Sequence, residues 1–215
     1  MKDLKLYDFW RSSAAYRLRI ALNLKGVEFE SLPVNIAPGA DEQMQEPYRA
    51  LNPQMRVPAI ALDDRIANQS MAILEWLEET YPDPPLLTGD AWRRMEIRAF
   101  ADTIACDIHP LNNLSVLSRL RESFGADEAA IATWYRSWIV TGFSALETIA
   151  LRHPGSDFLF GDQPTLAEVC LVPQMYNARR FETDLSPFPK LLEVDAVCRE
   201  IPAFAAASPE AVKAG

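Results

Sequence analysis

Apolar and polar positions alternate over Lys5-Leu6-Tyr7-Asp8-Phe9, a period of two that predicts a short strand. Ser12 and Ser13 then precede a helical pattern with Ala15, Leu18, Ala21 and Leu22 on one face. Lys25-Gly26 closes it, placing a cation and a glycine where a helix end wants them. Alternation returns from Val27 to Val34, with Val27, Phe29 and Leu32 set against Glu28 and Glu30. A polar stretch follows, with room for a short helix around Asp41 to Tyr48. Asn52-Pro53 marks a turn. Val57 to Leu62 reads as a strand, Asp63-Asp64 as a hairpin turn and Arg65 to Ala67 as the returning strand. Ser70 opens a helix with Ile73, Leu74 and Leu77 inward, ending before Pro82. A parallel βαβ unit joined to an antiparallel hairpin predicts an α/β, thioredoxin-like domain over residues 1–81.

Pro82, Pro84 and Pro85 cannot continue a helix, so residues 82–89 read as a stiff, proline-rich linker. Beyond it the spacing is three and four throughout. Ala91 to Ile108, Leu111 to Phe124, Glu128 to Leu151, Leu166 to Phe181 and Pro189 to Glu200 all read as helices. No strand pattern and no internal repeat follows the linker, which predicts an all-α domain over residues 90–215. Its alanine-rich end, Pro202 to Gly215, is expected to fray.

Composition narrows this picture. A chain of 215 residues, 49% apolar and 24% charged, has material for one large or two small globular domains. No apolar run approaches the roughly 20 residues that span a membrane. Met1 to Lys5 leads into no apolar segment, so no signal peptide is expected. Cys106, Cys170 and Cys198 are odd in number and widely spaced, which speaks against a disulfide framework or a zinc site and suits a reducing cytoplasm. With His109 and His153 the only histidines, no metal is expected. A net charge of −9 argues against a nucleic-acid partner. Yet Arg11, Arg17, Arg19 and Lys25 fall in one stretch without an acid. A solvated helix face and a cationic pocket for an anionic small molecule both fit that run.

Ser12 and Ser13 are the first candidates for chemistry. A serine between strand and helix is commonly an N-cap. The same place presents free N–H groups and the positive dipole end, which stabilise an anion. A hydroxyl donating to a thiolate lowers the thiol pKa. No cysteine of the chain is near this turn in sequence, so such a thiolate would come from a cofactor. Val57-Pro58 is the second candidate: in a thioredoxin-like layout a proline here is often cis and leaves neighbouring backbone groups open to an extended peptide. Gln69-Ser70 reads as a simple N-cap or as a second helix start aimed at a carboxylate. Thr165-Leu-Ala-Glu168 matches a capping box and reads as structural. Trp134, Trp138 and Phe143 read as core.

The runs Phe9-Trp-Arg-Ser-Ser-Ala-Ala-Tyr-Arg-Leu-Arg-Ile-Ala-Leu22, Ala50-Leu-Asn-Pro-Gln-Met-Arg-Val-Pro58 and Asn68-Gln-Ser-Met-Ala-Ile-Leu-Glu-Trp-Leu-Glu-Glu79 carry a resemblance that extends nearly end to end. So do Pro110-Leu-Asn-Asn-Leu-Ser-Val-Leu117, Gly161-Asp-Gln-Pro-Thr-Leu-Ala-Glu-Val-Cys-Leu-Val-Pro-Gln174 and Asn177-Ala-Arg-Arg-Phe181. On these the chain resembles the zeta class of glutathione transferases. The first and last runs are specific to that class; the Val-Pro and Gln-Ser pieces are shared by many glutathione transferases.

The resemblance implies glutathione as cofactor, a helical domain that completes the substrate pocket, and a homodimer. It implies glutathione contacts at Ser12, Ser13, Ala14, Ala15, Tyr16, Arg17, Gln43, Val57, Gln69 and Ser70, and at His109, Asn113, Leu114 and Ser115. Ser12 or Ser13 would stabilise the thiolate. Arg180 and Arg11 would hold substrate carboxylates, a task suited to the guanidinium fork. The implied reaction is cis–trans isomerisation of maleylacetoacetate to fumarylacetoacetate by reversible addition of the thiolate. Maleylpyruvate is the alternative substrate, suggested by Cys106-Asp-Ile-His-Pro110 and by the run from Phe124 to Ile131. A non-catalytic glutathione-binding protein is the alternative of another kind. Two departures stand out. Ala14 replaces the cysteine usual in the class, so no protein thiol is available at that spot, and His109 replaces a common glutamine with a group that titrates near neutrality.

Overall fold

The computed structural model describes residues 4–152 and 155–214; His153 and the start of the N-terminal stretch, Met1 to Asp3, lie outside them. The chain divides into two compact units, Met1–Pro85 with Ile201–Gly215, and Leu86–Glu200.

In the first unit, strands β1 (Lys5–Asp8), β2 (Glu30–Pro33), β3 (Ala59–Leu62) and β4 (Arg65–Asn68) form one sheet in the order β2-β1-β3-β4 among the described residues. β1 runs parallel to β2, and β1/β3 and β3/β4 are antiparallel, the mixed sheet of a thioredoxin-like domain. Tyr7 sits opposite Ala59, and the hairpin pairs Leu62 with Arg65 across Asp63-Asp64. Helix α1 (Ser13–Leu24) joins β1 to β2, α2 (Tyr48–Leu51) follows a single 3-10 turn at Glu42–Met44, and α3 (Ser70–Thr80) follows β4. Leu6, Leu18, Ile20, Ile60, Ile73, Leu74 and Leu77 are buried between the sheet and these helices. At about 1.5–3 kcal/mol for each large apolar side chain, they are the main source of this unit's stability.

Two strands are shorter than the alternation predicts, for local reasons. Val27 N–H bonds the Leu22 carbonyl at 2.9 Å and Gly26 N–H that of Asn23 at 3.2 Å. That is the Schellman pair, with Gly26 at φ +62°, so the first residues of the alternating run are spent leaving α1. What remains, β2, is a mostly exposed edge strand ending in Pro33, where a missing N–H costs nothing. β3 starts at Ala59 because Pro58 has no N–H to give the ladder. The Val57–Pro58 bond is cis.

The C-terminal stretch, expected to end the helical domain in a frayed tail, is instead part of the first unit. It forms α9 (Pro202–Ala207) and α10 (Pro209–Ala214), each begun by a proline, and α9 packs on α1 with Phe204 fully buried. Asn23 Nδ2 donates to the Ala203 carbonyl at 3.0 Å.

The second unit is helical among the described residues: α4 (Ala91–Asp102), α5 (Leu114–Phe124), α6 (Glu128–Ala150), α7 (Leu166–Arg180) and α8 (Pro189–Glu200). The predicted single helix from Ala91 to Ile108 is broken in type. After Asp102 it widens to a π-helical turn, Thr103–Ile108, where His109 N–H bonds the Ile104 carbonyl five residues back at 2.9 Å. Gly142 of α6 lies against this turn so closely that a Cβ there would collide with the Ile108 side chain. α7 is buried on nearly every side and packs against α4 and α8. The capping box is present at its start: the Glu168 carboxylate accepts from Thr165 N–H and Oγ1, each at 2.7 Å, and from Leu159 N–H at 2.6 Å. α8 is capped from a distance, Glu147 of α6 accepting from Lys190 N–H (2.8 Å) and Leu191 N–H (3.0 Å). Phe143 is core, edge-on to Phe188 at 5.6 Å, while Trp134 and Trp138 pair edge-on at the same distance and Trp134 Nε1 donates to the Leu111 carbonyl.

None of the three cysteines forms a disulfide among the described residues; Cys106 is exposed and Cys170 and Cys198 are buried. Burial pushes the Cys198 thiol well above its ordinary value, and Glu168 and Asp195 add to the shift. Alkylation of the native protein is expected to modify Cys106 alone, with the other two reacting only after unfolding, as intact-mass spectrometry will show.

Candidate functional site

Of the candidate residues of the first unit, Ser12 to Arg17 lie at the start of α1, and Arg17 reaches Ser70. Ser12 is the N-cap, extended at φ −68° and ψ 118°, and its Oγ accepts from Ala15 N–H at 3.3 Å. Accepting that bond leaves the hydroxyl hydrogen free to donate outward. Ser12 is half-buried, whereas Ser13, the first helical residue, is buried and already engaged. No acid stands in the first turn, so the positive end of the helix is not neutralised locally. Ala14, Ala15 and Tyr16 are buried in the same turn.

Arg17 lies one helical turn beyond Ser13 and is 1% exposed. Its Nη1 donates to Ser70 Oγ at 3.3 Å, while Nε and Nη2 have no partner among the described residues. A buried guanidinium with two idle donors is costly unless an anion completes it. Ser70 begins α3 but does not cap it. The N-cap is Gln69, at φ +70° and ψ 106°, with no side-chain capping bond. A non-glycine residue there holds about 1–3 kcal/mol of backbone strain, a feature that gathers at binding sites. Gln69 Nε2 donates to Gln54 Oε1 at 3.0 Å. Gln43 is buried with its Oε1 unpartnered. Val57 is buried in a small cluster with Val34 and Tyr48, flanked by Tyr7 and Phe9.

The loop before Val57 is held by a residue not singled out above. Asn52 is fully buried; its Nδ2 donates to the Arg56 carbonyl at 2.8 Å and its Oδ1 accepts from Gln54 N–H and Asn68 Nδ2. Only the Asn-Pro turn signal pointed there.

The cationic run divides into different tasks. Arg19 and Lys25 are neither solvated nor open to a ligand. Arg19 pairs with Asp8 at 2.6 Å, and Lys25 bonds Glu78 (2.8 Å) and the carbonyls of Tyr81 (2.6 Å) and Pro84 (3.0 Å), fastening the start of the proline-rich segment. Burial pushes the Asp8 carboxyl up, against the pull of Arg19. Arg11 stacks on Trp10 at 5.3 Å, and Lys213 of α10 reaches the same ring at 4.7 Å.

In the helical unit, His109 is half-buried and ends the π-helical turn. Asn113 caps α5, its Oδ1 accepting from Ser115 N–H at 3.1 Å and Ser115 Oγ at 3.0 Å, and Leu114 between them is exposed. Asn112 Nδ2 ties this segment to the Tyr135 carbonyl at 3.1 Å. The Tyr135 ring stacks on Phe181 at 3.5 Å, and exposed Arg180 lies 4.6 Å over Phe181. Burial raises the Tyr135 hydroxyl above its ordinary value, and Arg180 opposes that. Asn112, beside the α5 cap, is thus tied to Tyr135, and Arg180 lies on the ring stacked against it. Among the described residues no three His, Cys, Asp or Glu side chains are grouped to hold a metal, and no helix is long and apolar enough to cross a membrane.

The model of the family "Glutathione S-transferase, N-terminal domain" matches residues 6–85. A maleylpyruvate isomerase from a Ralstonia species is 51% identical over 97% of this chain and 98% of its own. Among solved structures, the holo form of a maleyl pyruvate isomerase, a bacterial zeta-class glutathione S-transferase, superposes with a TM-score of 0.93 at 51% identity, covering 96% of this chain and 97% of that one. A maleylacetoacetate isomerase from Anaeromyxobacter dehalogenans, with GSH bound in its active site, gives 0.87 at 43% identity over 98% and 96%.

Proposed function

The chain belongs to the zeta class of the glutathione transferases, and on that premise we propose that it is a glutathione-dependent cis–trans isomerase converting maleylacetoacetate to fumarylacetoacetate. The observation that carries this reading is the buried Arg17 guanidinium, with two idle donors beside Ser70, one turn along the helix that Ser12 caps. It suits glutathione, which brings carboxylates and a thiol together. When bound, glutathione supplies a thiolate that adds reversibly to the cis double bond. The chain's own task is to hold that charge and the acid groups around it. The Ser12 hydroxyl donates to the sulfur, and the uncompensated start of α1 favours its anionic form. Arg17 and Ser70 hold a carboxylate, and Gln43, Val57 and Gln69 line the same unit. In the helical unit the reading assigns cofactor contacts to His109, Asn113, Leu114 and Ser115. Arg180 and Arg11 are each assigned to substrate carboxylates, which a guanidinium binds in bidentate fashion. With Ala14 where the class has cysteine, the reactive sulfur is glutathione's alone.

The reading extends to a homodimer and a cytoplasmic place in aromatic catabolism. Ile66 on the outer strand β4, and Trp92 and Met95 one turn apart on α4, are large apolar side chains left 48%, 69% and 46% exposed, as a buried subunit contact would explain. Cysteines outside any disulfide fit a reducing compartment.

Maleylpyruvate is the second reading, favoured by the higher identity to the enzyme of that name, 51% against 43%. Rates on the two acids with glutathione present test the proposal: faster turnover of maleylacetoacetate supports the first reading, of maleylpyruvate the second, and inactivity on both contradicts the isomerase. Arg17→Met separates binding from folding. It is expected to weaken glutathione roughly ten- to a hundredfold, since hydrogen bonds to charged groups contribute about 1.5–3 kcal/mol, while leaving the ligand-free melting temperature unchanged or higher. Calorimetry with and without glutathione checks both halves.

A further inference from the structure

We infer that Arg19 is a positioning residue for the thiolate site, locking the turn that presents Ser12 through the main-chain carbonyl of Trp10; this rests on the reading of Ser12 given above. Arg19 is 2% exposed, and each of its three side-chain nitrogens bonds a different partner. Nη1 meets both Asp8 carboxylate oxygens, at 2.8 and 2.6 Å. Nη2 donates to the Trp10 carbonyl at 3.0 Å, and Nε to the Ala207 carbonyl at the end of α9 at 2.9 Å.

The middle partner matters most. Ser12 N–H bonds the Phe9 carbonyl at 2.8 Å, closing a four-residue turn over Trp10 and Arg11. Such a turn can flip its middle peptide between turn types, here only by bringing Arg11 to a positive φ that it does not have. The middle peptide here is Trp10–Arg11. With its oxygen held by Nη2, the flip is closed off, and with it the entry angle of the chain into the N-cap. Ser12 Oγ is kept where it accepts from Ala15 N–H and retains a hydroxyl hydrogen to donate. Asp8 supplies the anchor on the strand side, and the Ala207 carbonyl occupies the third edge of the guanidinium so that it cannot pivot. Lysine cannot reproduce this: an ammonium has no planar fork to span a carboxylate and two carbonyls lying on different elements.

The test is the ultraviolet absorbance of bound glutathione's thiolate against pH, with isomerase kinetics, on the full chain and three variants. Arg19→Lys is expected to stay folded, raise the thiol pKa by about one unit and lower kcat/KM about tenfold, with KM for glutathione moving about twofold or less. Asp8→Asn, which loosens the anchor but keeps its shape, is expected to shift the pKa in the same direction by less, and decides alone should Arg19→Lys not fold. Asn23→Ala removes the neighbouring bond to the Ala203 carbonyl of α9 without touching the turn, and is expected to leave the thiolate profile unchanged. Wild-type profiles in folded Arg19→Lys and Asp8→Asn overturn the inference, as does an equal shift in Asn23→Ala, which would mark general loosening. A wild-type protein showing no thiolate at all overturns the Ser12 reading itself and this inference with it.

Discussion

Ser12→Ala is expected to cut isomerisation far more than Ser13→Ala, and to raise the pKa of the bound thiol where Ser13→Ala does not. Ser12 is half-buried and has a hydroxyl hydrogen to give, because its oxygen accepts from Ala15 N–H. Ser13 is buried and already engaged. Losing a hydrogen bond to a charged sulfur costs about 1.5–3 kcal/mol, so kcat/KM should fall roughly ten- to a hundredfold and the thiol pKa should rise by one to two units or so. The same substitution removes a helix cap, worth about 1 kcal/mol, which for a chain of this size lowers the melting temperature by about 2–4 °C. Ser12→Gly sharpens the test, since glycine is tolerated as a cap: it should restore most of the stability and none of the turnover. Thiolate titration, single-substrate kinetics and thermal melts on the three variants are the measurements.

Glu168→Ala is expected to be the most damaging substitution for stability. The carboxylate lies fully buried and takes three donors, Leu159 N–H, Thr165 N–H and Thr165 Oγ1. Removing it strands two main-chain N–H groups inside the protein at about 1–3 kcal/mol each and leaves a void, for a total of about 3–5 kcal/mol. A fall of order 10 °C in melting temperature follows. The effect depends on pH with a definite sign. Burial pushes the Glu168 carboxyl above its ordinary value, outweighing its donors. Between the unfolded and folded values the folded protein therefore holds more protons, and this group's contribution is fullest below the ordinary carboxylate range and declines as pH rises through the raised value. The gap between wild type and Glu168→Ala should accordingly be wider in mild acid than at alkaline pH.

What is legible in the sequence is what local rules decide. The thioredoxin-like order of elements, the Lys25-Gly26 exit of α1, the capping box at Thr165 and the span of α8 follow from periodicity and cap chemistry within a few residues. What long-range packing decides is not legible. The burial of Arg19 and Lys25 depends on Asp8, on Glu78 and on carbonyls at Tyr81, Pro84 and Ala207, which lie far away along the chain. From spacing alone, two buried clasps look like a cationic face. The docking of α9 on α1 hides in an alanine-rich tail for the same reason, because its anchors are Phe204 and main-chain oxygens. The π-helical turn needs the close approach of Gly142. At the candidate site, a paired serine at a helix start is visible in the sequence; which serine has its hydroxyl free is a matter of exposure, and the idle donors of Arg17 appear only once Ser70 is placed beside it.

On the proposed function, the start of α1 holds glutathione as a thiolate for isomerisation. Its most direct test is the ultraviolet absorbance of wild-type protein titrated with glutathione at neutral pH, repeated with Ser12→Ala. Thiolate absorbance is expected to saturate at about one glutathione per chain in the wild type and to be lower in the variant at the same pH. Glutathione that binds and stays a thiol in both would contradict it.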